Sequence, residues 1–181
     1  GMVSSTQSVA IYAVAEQLYR GAQALLSPLG QVMYPYMVRT RNYRVLIKAT
    51  AAATLAACAG AALTIFLGTH IIRLLFGAEY ASALPVLQIF FVTIIFNTPS
   101  ILLGYPLLGA LGQLHLANRS VLVAGVLQIV VLCTWYWLGH TTPVDVAVAI
   151  LFAELAVLTL RAVWGAREWR RQQRAQVNND S

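Results

Sequence analysis

The chain has 181 residues, of which 59% are apolar and only 10% are charged, and its mean hydropathy is +0.71. Soluble domains average roughly 45–50% apolar and about 25% charged residues. A soluble domain of this size has too little interior to bury so much apolar surface. The composition therefore excludes a disordered chain, argues against a soluble enzyme and indicates an all-α polytopic membrane protein.

Four apolar segments are each long enough to cross a bilayer as a helix. They cover residues 45–68, 84–109, 117–138 and 143–164. Lipid offers no hydrogen-bond partners to the backbone, so a spanning segment of about 20 apolar residues folds as a helix. The sequence predicts a membrane bundle over residues 1–166 and a basic tail over residues 167–181.

Residues 6–36 form a fifth predicted helix, whose apolar character is masked by an ordered polar stripe. The stripe recurs at steps of three or four residues: Tyr12, Glu16, Arg20, Gln23, Ser27, Gln31 and Tyr34. This spacing places the stripe on one helical face about 100° wide. An interfacial helix usually carries many basic residues on its polar face, but here Arg20 is alone and Glu16 balances it. The pattern favours a spanning helix whose stripe faces protein or water.

The formal charge of +6 is concentrated after the first helix, after the third helix and at the C-terminal end. The basic residues in these three places are Arg39, Arg41, Arg44, Lys48, Arg119, Arg161, Arg167, Arg170, Arg171 and Arg174. These three places share one side of the membrane if five helices alternate, and cytoplasmic loops are enriched in Lys and Arg. We therefore expect a cytoplasmic C-terminus and an external N-terminus. Membrane lipids are expected partners of the tail, and nucleic acid is not.

The predicted third helix carries two internal prolines. Pro99 and Pro106 each remove a helical hydrogen bond and clash with the preceding turn, and Gly104 lies between them. We expect a break here with Pro99, Gly104 and Pro106 as a hinge, while a static kink is the alternative. The two cysteines and three histidines lack metal-ligand spacing, so no metal or other cofactor is expected.

Two segments carry a resemblance to a known family. They are IYAVAEQLYRGAQALLSPLGQVMYPYMVR, at residues 11–39, and LLFGAEYASALPVLQI, at residues 74–89. Both resemble the C-terminal lobe of polysaccharide flippases, which belong to the multidrug/oligosaccharidyl-lipid/polysaccharide exporter superfamily. The resemblance implies the last five helices of a twelve-helix transporter in the bacterial inner membrane. An external N-terminus and an odd number of spans likewise predict that the chain is part of a longer protein.

The resemblance implies translocation of undecaprenyl-diphosphate-linked oligosaccharides for surface polysaccharide synthesis, without enzymatic chemistry. The expected partners are this substrate, the missing N-terminal lobe and other polysaccharide-assembly proteins. The expected substrate-pathway residues are Glu16, Arg20, Gln23, Ser27, Gln31, Asn97 and Glu154. Arg20 would attract the anionic diphosphate, and Glu16 would orient Arg20 or carry a proton. A Glu16–Arg20 ion pair that only joins helices is the structural alternative.

Other interpretations of the sequence remain open. Glu154 and Arg161 share one face of the last helix, and we expect Arg161 to extend its side chain to the nearby membrane surface. A related exporter of other cargo, such as a drug/cation antiporter or a peptidoglycan-precursor flippase, is one alternative function. A membrane-embedded polysaccharide-assembly protein is another.

Overall fold

The computed structural model describes the backbone of residues 2–140 and 142–179 and the side chains of residues 6–140 and 142–175. Residues 1 and 181, the outer limits of the predicted bundle and tail, lie outside the described residues. The fold consists of α1 (Met2–Thr40), α2 (Tyr43–Phe76), α3 (Leu84–Leu102), α4 (Leu114–Trp137) and α5 (Pro143–Asn179). No strand occurs in the described ranges, and the all-α prediction is confirmed.

Four stretches are long and apolar enough to cross a membrane. They are Tyr43–Phe76, Ala78–Leu108, Leu114–Trp137 and Pro143–Ala175, and each overlaps one of the four segments predicted from hydropathy. The α1 helix is not among them, although its 39 residues form one helix that includes Pro28 and Pro35. The chain is therefore a helical bundle of a membrane protein, and the crossing of α1 stays a prediction.

Four of the helices continue beyond their predicted bounds. The α1 and α2 helices extend at both ends, and α4 begins three residues early, at Leu114. The α5 helix runs to Asn179, so the predicted basic tail continues α5 as helix. Hydropathy identifies only the apolar part of a helix, so it does not show how far the helix continues beyond that part. Arg and Gln, which dominate the tail, are good helix formers in water and allow α5 to continue.

The α3 helix is central and packs against α1, α2 and α5, while α4 packs mainly against α5. Phe90 of α3 is fully buried and stacks on Tyr19 of α1, with 4.7 Å between ring centroids. Small residues of α2, among them Ala57 and Ala61, are buried and allow α2 to approach α3 closely. Burial of aromatic rings and close backbone approach together hold the bundle around α3.

The three basic regions of the sequence lie at one end of the bundle. Tyr43, at the start of α2, meets Trp169 of α5 edge to face, with 3.9 Å between ring centroids. The Gln172 side chain of α5 donates a hydrogen bond to the carbonyl of Leu111, between α3 and α4, at 3.0 Å. This end therefore joins the α1–α2 junction, the α3–α4 junction and the C-terminal part of α5, as alternating helices require.

Candidate functional site

The polar stripe of α1 lies beside the face that packs against the bundle. Ala15, Tyr19, Met33 and Met37 of α1 are buried. The stripe lies along the edge of this face, and the Arg20 side chain keeps 74% of its surface exposed. Ser27 and Gln31 are also exposed, while Glu16 and Gln23 are partly buried. The other helices therefore leave much of the predicted stripe uncovered.

The polar groups of the stripe bond within α1. Both Nη2 and Nε of Arg20 donate to the same oxygen of Glu16, at 2.7 and 3.1 Å. Gln23 donates to the hydroxyl of Tyr19 at 2.8 Å, and Ser27 donates to the carbonyl of Ala24 at 3.1 Å. Among the described side chains, no hydrogen bond or ion pair joins Glu16 or Arg20 to another helix. The pair thus gives no support to the alternative in which it serves to join helices.

Asn97 and Glu154 form a second polar group, between α3 and α5. The amide nitrogen of Asn97 donates to a carboxylate oxygen of Glu154 at 3.0 Å. The amide oxygen of Asn97 is buried and has no hydrogen-bond partner. No hydrogen bond joins this pair to the α1 stripe within the part of the chain that the structure describes. The predicted pathway residues therefore divide into an exposed stripe and a separate interhelical pair.

The predicted break in the third helix is present, and it is centred on Gly104. The six residues Leu103–Leu108 form a π-helical segment, in which Gly104 has non-helical angles of φ −70° and ψ −113°. Pro99 stays within α3, and Pro106 lies inside the π-helical segment. The expected break is confirmed, whereas motion at the predicted hinge stays a prediction.

Arg161 does not extend to the membrane surface, and that expectation was wrong. Only 7% of its surface is exposed. Its Nη1 donates to the carbonyl oxygen of Ser100 at 2.7 Å and to the Ser100 hydroxyl at 3.2 Å. Its Nε donates to the Ser120 hydroxyl at 2.9 Å. One guanidinium thus joins α5 to the end of α3 and to α4.

The broken helix explains why Arg161 turns inward. In a continuous α-helix the Ser100 carbonyl would accept from residue 104, so the break leaves it in need of another donor. Leu103 and Arg161 both donate to this carbonyl. A Cβ atom on Gly104 would lie 2.8 Å from Nη1 of Arg161, so glycine leaves the space that the guanidinium occupies.

Sequence reasoning missed the partners of Arg161. Ser100 and Ser120 are buried serines in apolar segments, which is a weak signal because intramembrane serines commonly bond their own helix. Ser120 does bond its own helix as well, donating to the carbonyl of Ala117 at 2.7 Å. A stronger signal for a buried arginine was the position of Arg161 itself, three residues before the end of the predicted span 143–164.

Comparisons of this chain with protein-family models, with curated proteins and with solved structures found no match.

Proposed function

We propose that this chain is the C-terminal membrane part of a transporter that flips undecaprenyl-diphosphate-linked oligosaccharides across the bacterial inner membrane. One observation carries the proposal: the packed bundle leaves much of the polar stripe of α1 uncovered, with the Arg20 side chain 74% exposed. The resemblance of residues 11–39 and 74–89 to polysaccharide flippases supports the same function. The cargo would be used for surface polysaccharide synthesis.

Contact of an uncovered polar stripe with lipid is energetically unfavourable, so we expect the stripe to face water or another part of the protein. A second lobe facing α1 would enclose the stripe and form a polar cavity between the lobes. A diphosphate and sugars lose many hydrogen bonds in hydrocarbon, and such a cavity would replace them. Transporters commonly move cargo by rocking one lobe against the other around a central site.

Five residues of the stripe have a chemical role in this proposal. Arg20 provides a guanidinium that pairs with phosphate oxygens, and Glu16 holds that guanidinium in one orientation. Gln23, Ser27 and Gln31 offer donors and acceptors to sugar hydroxyls along the same face. The break at Gly104 provides a place where the two halves of the spanning stretch Ala78–Leu108 can reorient.

The test is an Arg20→Ala change in the full-length transporter, with Arg39→Ala as the control. Both arginines are exposed, and both changes remove one positive charge, but only Arg20 belongs to the stripe. We expect Arg20→Ala to lower surface polysaccharide at least about tenfold with unchanged membrane abundance, because a lost charge-assisted contact is worth roughly 1.5–3 kcal/mol. Arg39→Ala should export normally. Normal export by Arg20→Ala, or an equal loss in both variants, would contradict the proposal.

A further inference from the structure

The C-terminal part of α5 forms a basic cleft with the first turn of α4. The cleft has a volume of about 510 Å³, and its lining includes Trp164 of α5 and Leu116 of α4. Four arginines complete most of the lining: Arg167, Arg170, Arg171 and Arg174. Their spacing of three, one and three residues places all four on one face of α5. The charge is therefore directed into one cleft instead of being spread around the helix.

One carboxylate lies in the cleft, and it neutralises only a small part of the positive charge of the arginines. Glu168 pairs with Arg171 at 3.2 Å and accepts a hydrogen bond from Gln113 at 3.4 Å. Among the side chains described up to residue 175, Arg167, Arg170 and Arg174 form no ion pair. Four arginines and one glutamate give the cleft a net charge of +3. Guanidinium groups bind phosphate oxygens in a two-pronged geometry, which makes phosphate the matching ligand.

An apolar track lies along α4 beyond the cleft. Leu116 lines the cleft, the exposed Arg119 follows on the same face of α4, and Val123, Leu127 and Val130 then continue that face at spacings of four and three residues. Val123, Leu127 and Val130 are exposed, between 41% and 55%. A tryptophan such as Trp164 typically lies at the level of lipid headgroups. The cleft thus combines a cationic end at the interface with an apolar track toward the bilayer interior.

We propose that this cleft binds the phosphate-bearing headgroup of an anionic lipid, whose acyl chain lies along the exposed face of α4. A free phosphate compound would use the four arginines but leave the apolar track unused, so the lipid fits more of the surface. The site is distinct from the α1 stripe, and its occupation does not depend on the cargo of the proposed transporter.

Quenching of tryptophan fluorescence by brominated lipid tests this site. The full chain is reconstituted in phosphatidylcholine vesicles with a rising share of phosphatidylglycerol brominated high on its acyl chain. Brominated phosphatidylcholine provides the reference, and Trp164→Phe identifies the signal of Trp164. We expect phosphatidylglycerol to quench Trp164 at a lower lipid share than phosphatidylcholine does. The double change Arg167→Gln/Arg174→Gln should reduce this preference about tenfold, because each basic residue near the membrane surface strengthens the attraction to anionic lipid.

The matched control is Arg39→Gln/Arg44→Gln, which removes two exposed charges from the same end of the bundle but outside the cleft. This control should keep the preference. If both double variants lose the preference for phosphatidylglycerol equally, the preference comes from diffuse surface charge and the proposal is overturned. If neither variant loses the preference, the proposal is overturned as well. Displacement of the brominated lipid by micromolar inorganic pyrophosphate would overturn the lipid as occupant and assign the cleft to free phosphate compounds.

Discussion

Arg161 holds three parts of the bundle together at the break after α3. Its guanidinium donates to the hydroxyls of Ser100 and Ser120 and to the backbone carbonyl of Ser100, which lies at the break in the helix. A hydrogen bond to a charged group contributes about 1.5–3 kcal/mol when the site is buried. Each of these partners should therefore matter more to stability than a serine on the helix surface.

Ser120→Ala tests this role directly. The change removes the acceptor of Arg161 Nε and leaves a buried charged donor without a partner, so we expect a loss of about 1.5–3 kcal/mol in free energy of unfolding. Ser27→Ala is the control, because its hydroxyl is exposed and bonds only Ala24 of its own helix; we expect a change within about 0.5 kcal/mol. Reversible unfolding in mixed micelles measures both. Equal effects of the two variants would argue against the role of Arg161.

Gly104→Ala and Gly125→Ala should change stability in opposite directions. A methyl group on Gly104 would lie 2.8 Å from Nη1 of the buried Arg161 and would displace its guanidinium, so we expect a loss of about 1–3 kcal/mol. Gly125 lies inside α4 with open space around its Cα, so alanine should stabilise that helix by up to about 1 kcal/mol. The same unfolding experiment serves for both. A stabilising Gly104→Ala would contradict the assigned contact.

At the scale of the element, α1 combines a buried face with an uncovered polar stripe. Tyr19 stacks on Phe90 and fixes the rotation of α1 against α3. That rotation leaves Ser27 and Gln31 on the exposed stripe, while Leu25 and Val32 lie on the exposed apolar surface, 83% and 66% exposed. All four positions are therefore exposed in the bundle, and we expect their surroundings in the membrane to differ.

Thiol labelling distinguishes the two surfaces of α1. In a chain whose Cys58 and Cys133 are replaced by alanine, we expect Ser27→Cys and Gln31→Cys to react with a water-soluble maleimide in membranes of the full-length protein. Leu25→Cys should stay unreactive, because a thiol facing lipid is not ionised and does not meet the reagent. Comparable labelling at Leu25 and at the stripe would refute a water-filled cavity along this face.

At the scale of the whole molecule, the helices alternate between two ends. The end that joins Tyr43, Leu111 and Trp169 also holds most of the basic residues, and their abundance predicts that it is cytoplasmic. The side on which the N-terminal residues lie depends on whether α1 crosses the membrane. Among the described α-helices, α1 is the one that hydropathy does not identify as a span.

Sided labelling of single cysteines tests this topology. We expect Arg39→Cys and Arg174→Cys to react only from the cytoplasmic side, and Gln7→Cys and His140→Cys only from outside. All four positions are exposed in the bundle. Intact cells and inverted vesicles provide the two directions of access. Labelling of Gln7 and Arg39 from the same side would show that α1 does not span.

The predictable part of this protein is the part that depends on local pattern. Apolar runs gave four spans, the step of three or four residues gave the α1 stripe, and two prolines flanking Gly104 gave the break. The i,i+4 spacing predicted that Glu16 and Arg20 meet, but which side chains of different helices meet each other was not predictable. Asn97 pairs with Glu154 across 57 residues, and nothing in either local segment specifies that contact.

The sequence by itself determined the helical class, the apolar segments and the gathering of charge at alternating junctions, because each follows from short-range periodicity and from the solvent that lipid provides. Only the tertiary structure decided the direction of Arg161 and the extent to which the α1 stripe is covered. Both depend on where neighbouring helices place their polar atoms: the Ser100 carbonyl at the break after α3 accepts from Arg161 as well as from Leu103, whereas no described helix covers Arg20. An arginine near a helix end can extend to water or turn into the interior of the bundle, and the positions of hydrogen-bond acceptors determine which of the two occurs.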